Sequence, residues 1–324
     1  MRSLAILQGR RYLSKSNILW SSHRTDPLGK RNTLTDIKNL YANKIPISVV
    51  TAYDYITANF AASAGIDINL VGDSLANTAL GYEDTNVLSY DEFKYHAQAV
   101  SRGNRHSFLI ADMPFGSFEV SENQAVKTAI NLVKECGMQG VKIEGGAQNV
   151  ALVKRLQRIG IPVISHVGLT PQSHNSYGGF KVQGNSVEVA ERIFKDCLAL
   201  EDAGAFGFLI ECVPSRLAKL ITENLSVPTI GIGAGPFCSG QVLVMADVLG
   251  MTNSNQESLP KFAKQYTNTF ENATKALTDY KNEVLKGSYP DIEKHSYKIK
   301  SDVLSVFKGR INAIKDDHIA QNRK

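Results

Sequence analysis

Gly207-Phe208-Leu209-Ile210-Glu211-Cys212-Val213-Pro214-Ser215 decides the fold. Phe208-Leu209-Ile210 is apolar without alternation, the mark of a strand covered on both faces. The run then ends on an acid, and a proline follows near the first turn of a helix, where its missing amide costs nothing. The same unit, a short apolar run before a longer helix-patterned segment, recurs along the chain. Residues 47–52, 68–72, 108–112, 140–144, 163–166, 207–211, 229–233 and 242–247 read as strands. Helices are read at 55–64, 149–159, 186–203 and 214–224. Two more open on capping-box spacings, Ser89 with Glu92 and Ser121 with Gln124, and close near Gly103 and Gly137. In the second of these, Val126, Ala129, Ile130 and Val133 recur at helical spacing and predict the face laid on the sheet.

Eight such units predict an α/β fold, a (β/α)8 TIM barrel, with an open doubly wound sheet as runner-up. Too few residues separate Gly233 from Gln241 for a helical crossover, so a short turn is expected there. Leu34, Ile37, Leu40 and Tyr41 predict an N-terminal capping helix plugging the barrel mouth. Val303, Phe307, Ile311 and Ile314 predict a C-terminal helical extension packed on a neighbour. The expected division is a barrel over 33–290 and an extension over 291–324.

Composition sets the outer limits. The 324 residues are 43% hydrophobic and 21% charged, enough apolar material for a large core. No apolar run approaches the length of a membrane span. The 4 cysteines lack metal or disulfide-framework spacing. The net charge of +5 is concentrated at the start, where Arg2, Arg10, Arg11, Lys15 and Arg24 stand among serines with no acid before Asp26. That pattern predicts a mitochondrial transit peptide over residues 1–25 and a matrix location. Setting those five aside from the 36 lysines and arginines leaves 31, equal to the 31 acids, so nothing points to nucleic acid.

In such a barrel, chemistry is built at the C-terminal ends of the strands. Asp54, Asp73, Asp112, Glu144 and Glu211 all follow or end strand runs, and His166 ends another. Each acid alone reads as easily as a helix cap or a solvated carboxylate. Together they would repel unless a cation neutralised them. Hard oxygens without paired histidines or thiolates favour Mg2+ over zinc. Lys142 shares a strand face with Glu144 and, buried, needs an anion. Such a set suits enolisation of a 2-oxo acid, the metal acting as Lewis acid and a carboxylate moving the proton. The glycine-bearing stretch 170–185 is a candidate lid. Gly231-Ile232-Gly233-Ala234-Gly235 lacks the dinucleotide-binding spacing.

Several long motifs resemble the ketopantoate hydroxymethyltransferase family, in its usual order. They are Thr51-Ala52-Tyr53-Asp54, Val71-Gly72-Asp73-Ser74, Ala111-Asp112-Met113-Pro114-Phe115, Val141-Lys142-Ile143-Glu144-Gly145-Gly146, His166-Val167-Gly168-Leu169-Thr170-Pro171-Gln172, Glu211-Cys212-Val213-Pro214 and the Gly231 stretch. The resemblance spans residues 46–290. It implies hydroxymethyl transfer from 5,10-methylenetetrahydrofolate to 3-methyl-2-oxobutanoate, giving ketopantoate for coenzyme A synthesis. It further implies Mg2+ on Asp73 and Asp112 with Glu144 completing the site, the oxo acid held by Ser74 and Lys142, and Glu211 as proton acceptor. His166 and Tyr53 are possible supporting residues, and a homo-oligomer, decameric in bacterial relatives, is implied. Pro236 and Phe180 depart from the family's usual asparagine and tyrosine. The rivals are a Mg2+-dependent 2-oxo acid lyase or mutase of the phosphoenolpyruvate-type barrels, whose cysteine loop is missing here, and a catalytically inactive barrel scaffold.

Overall fold

The computed structural model describes residues 31–179, 181–253 and 259–322. The expected transit peptide and the Phe180 departure lie outside them. By compactness the chain divides into one unit reaching Met245 with Pro260–Ala263, and a second holding the remainder.

In the first unit, α1 (Leu34–Ala42) precedes β1 (Ile47–Thr51), α2 (Tyr55–Ser63) and β2 (Ile68–Val71). One-turn α3 (Leu75–Thr78) and α4 (Tyr90–Gly103) lead to β3 (Phe108–Asp112), α5 (Glu122–Cys136), β4 (Gly140–Glu144) and α6 (Val150–Arg158). Then come β5 (Val163–Gly168), one-turn α7 (His174–Tyr177), α8 (Val187–Asp202), β6 (Gly207–Glu211), α9 (Ser215–Glu223), β7 (Thr229–Ile232) and β8 (Gly240–Leu243). The eight strands pair in sequence order, all parallel, and β8 returns to β1 to close a (β/α)8 barrel. No helix separates β7 from β8, as the short spacing required. α10 (Met245–Leu249) follows, and the second unit contains α11 (Thr269–Lys286) and α12 (Ser301–Gln321).

Alternate strand residues fill the barrel. Ile47, Ile68, Phe108 and Phe206 pack with Ile37 of α1, flanked by Leu34, Leu40 and Tyr41, so the N-terminal helix does close that end. Each such fully buried side chain contributes roughly 1.5–3 kcal/mol. Higher up, Leu70, Ile110, Ile164, Leu209 and Ile230 continue the apolar interior to the level of Lys142. An apolar floor therefore underlies the charged rim and strengthens its electrostatics.

Three local expectations need correction. β8 begins at Gly240 rather than 242, and Asp247 lies in the first turn of α10, not in a strand. A Cβ at Gly240 would stand 2.3 Å from the Ile47 carbonyl, so the start of this strand is a residue with no apolar side chain to reveal it. The buried face of α5 is Ala125, Thr128, Ala129, Leu132 and Cys136, with Val126, Ile130 and Val133 only half-covered. That face mixes the small Ala125 and Ala129 with the large Leu132, all fully buried, so the inward stripe is rotated by one position from the one that hydrophobicity alone picks out. Ser121 caps α5 by accepting the Gln124 N–H at 3.2 Å, but the Gln124 side chain returns to the amide of Val120, not to the cap. The Ser89–Glu92 box is complete in both directions. Gly137 ends α5 in the left-handed conformation (φ 69°), whereas Gly103 is the last residue of α4 and Asn104 caps it.

Candidate active site

Strand register assembles the rim. Asp112 of β3 pairs with Lys142 of β4, and Glu144 pairs with His166 of β5. Residues 142 and 144 face the same way on a strand, so both project into the barrel mouth. Asp73 follows β2 directly and lies 4% exposed, Asp112 2%, Lys142 4% and Glu144 6%. Four ionisable side chains are thus buried within one cluster, and each needs a partner.

Lys142 supplies the compensation. Its Nζ lies 3.2 Å from Asp112 Oδ1 and donates to Glu144 Oε1 at 3.1 Å. Burial opposes its charge, but Asp112, Glu144 and Asp73 outweigh this and hold the pKa above the ordinary lysine value. Glu144 pays the same desolvation, yet Lys142 and His166 hold its carboxyl down at about 2. The two aspartates fare differently. Burial, then the neighbouring Asp112 charge, raises Asp73 well above the usual carboxylate range, and burial raises Asp112 against the pull of Lys142. The Asp73 backbone N–H donates to Asp112 Oδ2 at 2.8 Å, which brings the two carboxylates to one place.

His166 links this cluster to Glu211. Nδ1 lies 3.3 Å from Glu144 Oε1 and Nε2 lies 3.2 Å from Glu211 Oε2. Burial and the Lys142 ammonium disfavour the imidazolium, but the flanking carboxylates prevail and push its pKa up to about 9. Glu211 ends β6 with its side chain 15% exposed, at the open side of the cluster. Its carbonyl accepts the Leu169 N–H at 2.9 Å. The chain then turns left-handed at Cys212 (φ 48°), a conformation that costs a non-glycine residue about 1–2 kcal/mol. The Cys212 N–H donates to Ile232 O and its carbonyl accepts from Gln183, so the strained peptide is held on both sides.

Ser74 opens the one-turn α3 beside the aspartates. A Cβ on Gly72 would lie 3.0 Å from Ser74 Oγ and 3.8 Å from Asp112 Oδ2, so the glycine preserves the space around both. Tyr53 follows β1 half-buried, its phenol pKa raised by burial and then by Asp54. Asp54 is structural: its carboxylate accepts the Thr57 N–H at 2.7 Å and caps α2. Four of the five rim acids therefore remain for chemistry.

Gln172 was not singled out from the sequence. It lies in a short 3-10 turn (Pro171–Ser173) at the start of the expected lid. Its Nε2 donates to Asp73 Oδ2 at 2.8 Å and to the Met113 carbonyl at 3.0 Å, and its backbone N–H donates to Glu144 Oε2 at 3.0 Å. Its signal was a glutamine in a polar loop six residues past His166, which says nothing about distance to Asp73.

Asp73 and Asp112 fit a hard divalent cation. Asp112 Oδ1 is buried with only the Lys142 ammonium facing it at 3.2 Å, and burial, with neighbouring carboxylates adding to it, raises both aspartates. Among the described residues no three His, Cys, Asp or Glu side chains form a ready-made metal cage. Two carboxylates with the remaining positions left to water and substrate is the habit of Mg2+.

The model of the family described as "Ketopantoate hydroxymethyltransferase" matches residues 31–292. A 3-methyl-2-oxobutanoate hydroxymethyltransferase from Emericella nidulans is 44% identical over 304 residues, covering 92% of this chain and 86% of its own. One from Arabidopsis thaliana, labelled mitochondrial, is 44% identical over 294 residues, 90% and 85% of the two chains. Among solved structures, phosphonopyruvate hydrolase in complex with oxalate and Mg++ aligns with a TM-score of 0.53 at 13% identity, over 89% of this chain and 99% of that one. A 2,3-dimethylmalate lyase gives 0.51 at 18% identity, over 90% and 100%. At these identities the structural likeness is one of fold.

Proposed function

The chain belongs to the ketopantoate hydroxymethyltransferase family, and on that premise we propose how its rim performs hydroxymethyl transfer to 3-methyl-2-oxobutanoate. The enzyme is a transferase that forms ketopantoate, not a lyase or mutase of the phosphoenolpyruvate type and not an inactive scaffold. In the overall reaction a C3–H bond breaks and a C3–carbon bond forms. 5,10-Methylenetetrahydrofolate gives up its one-carbon unit as tetrahydrofolate, and water supplies the hydroxyl.

Asp73 and Asp112 would hold Mg2+, with Glu144 completing the set. When bound, the cation supplies Lewis acidity to the carboxylate and keto oxygens of the oxo acid. Lys142, kept cationic by three carboxylates, faces the negative charge that develops at the keto oxygen. Ser74 binds the oxo acid from beside Asp112. Glu211 takes the C3 proton, and His166 at 3.2 Å fixes the orientation of its carboxylate. The apolar floor keeps water from beneath the reacting groups.

What carries this reading is the buried Asp73–Asp112 pair beside a cationic Lys142, opposite a partly open Glu211. The test is a proton NMR time course in D2O with Mg2+, both substrates and a chelator control. Metal-dependent ketopantoate is expected. Glu211→Gln should slow loss of the C3 proton at least 100-fold, a typical contribution of a positioned base, with Mg2+ affinity unchanged. Wild-type exchange in that variant would remove Glu211 from the role. We further infer a homo-oligomer and a mitochondrial matrix location. The acid-free basic N-terminus supports the location, and no described helix is long and apolar enough to cross a membrane.

A further inference from the structure

A cavity of 490 Å³ opens beside the carboxylate cluster, against the first turns of α5 and α6. Glu144 and Gln172 line it and also belong to the cluster, so a ligand seated there lies against the oxo acid's pocket. Its volume falls within the range of small-molecule sites. The walls are chemically one-sided. Phe115, 46% exposed, and Phe118 present aromatic surface, Glu119 and Glu122 present carboxylates, and no lysine or arginine lines it.

That lining refuses an anion and suits a flat, neutral ring rich in N–H donors. Glu119 Oε2 already accepts the Phe118 N–H at 3.1 Å. Glu122 stands in the first turn of α5, exposed toward the cavity, and a carboxylate offers acceptors only. A carboxylate accepts two parallel N–H donors as a matched pair.

We propose that this cavity seats the 2-amino-4-oxo ring of the folate co-substrate, with its amino and N3–H donors on Glu122 and its face on Phe115. The assignment rests on the reading of methylenetetrahydrofolate as one-carbon donor. The ring's anionic tail then extends into solvent, since the cavity offers it no cation. Placed here, the one-carbon unit enters the oxo acid's pocket past Gln172, whose side chain holds Asp73 and whose backbone holds Glu144.

The test uses the full chain with Mg2+ and three variants at exposed positions, Glu122→Gln, Phe115→Ala and Ala151→Trp, the last filling the cavity from α6. The KM for methylenetetrahydrofolate and the dissociation constant of tetrahydrofolate by equilibrium dialysis should rise at least tenfold, with the KM for the oxo acid moving less than twofold. Unchanged folate constants in all three variants, with wild type still making ketopantoate from the folate, would place the ring elsewhere and leave the folate reading intact. If wild type exchanges the C3 proton but neither binds tetrahydrofolate nor uses its methylene form, the folate reading itself falls and this assignment with it.

Discussion

The backbone N–H of Asp73 donates to Asp112 Oδ2 at 2.8 Å, so two carboxylates from neighbouring strands are held together by the main chain of one of them. Asp112→Asn tests what that arrangement is for. An asparagine carbonyl can still accept the Asp73 N–H, and Lys142 keeps Glu144 at 3.1 Å. The substitution removes the carboxylate facing Lys142 at 3.2 Å but also relieves the repulsion between Asp112 and Asp73, and with these opposed stability should change by no more than about 1 kcal/mol. Mg2+ affinity by calorimetry should fall at least tenfold, about 1.4 kcal/mol. Undiminished affinity would separate the pair from metal binding.

Gln172→Leu removes the hydrogen bonds to Asp73 Oδ2 and Met113 O but keeps the backbone bond to Glu144. Partners that orient ligating carboxylates are typically worth 10–100-fold in metal affinity. A loss of that size is expected, together with a lower kcat. If metal titrations of the variant and wild type superimpose, Gln172 does not orient Asp73.

The pKa shifts give the metal-free protein a directional pH dependence. His166 rises from 6.5 to about 9, so its contribution to stability is complete below pH 6.5 and lost as pH rises through about 9. Asp73, raised above 3.8, likewise costs stability as it ionises. Glu144 is lowered from 4.5 to about 2, and its contribution is lost as pH falls through about 2. In chelator, denaturant midpoints should therefore fall between pH 6.5 and 9, and added Mg2+ should stabilise more at the upper end because it binds ionised carboxylates. A midpoint that climbs over that interval would contradict the assignment.

Gly103 and Gly309 make opposite expectations for the same substitution. A Cβ at Gly103 would stand 2.3 Å from the Tyr55 carbonyl, whereas at Gly309 nothing lies within 4 Å. Gly103→Ala should destabilise by about 1–3 kcal/mol through overpacking of α2 on α4. Gly309→Ala should stabilise α12 by about 0.5–1 kcal/mol. Thermal melts of the two variants that shift the same way would refute the packing argument.

Much of the barrel was legible because parallel strands covered on both faces have no alternation to obscure them, as in Phe208-Leu209-Ile210. β8 was misplaced because Gly240 and Gln241 carry no apolar signal, although Gly240 is required by the Ile47 backbone. The α5 stripe was read one position off because Val126, Ile130 and Val133 outweigh Ala125 and Thr128 in hydrophobicity, although the latter face inward. At the rim, Asp73, Asp112 and Glu144 were visible as charges ending apolar runs, and Lys142 as the lysine sharing a strand face with Glu144. Asp54 was visible in the same way, and only the Thr57 amide identifies it as a cap.

By itself the sequence determined the eight-stranded barrel, the acidic rim and the family, since these depend on local periodicity and on motifs contiguous in the chain. The tertiary structure alone decided which charges share a partner. Lys142 meets Asp112 across a strand pair and His166 bridges Glu144 and Glu211. Gln172 reaches Asp73 from 99 residues away. Electrostatic coupling falls steeply with distance and with solvent between the charges, so it is settled by where closure of the barrel places side chains and not by their order along the chain.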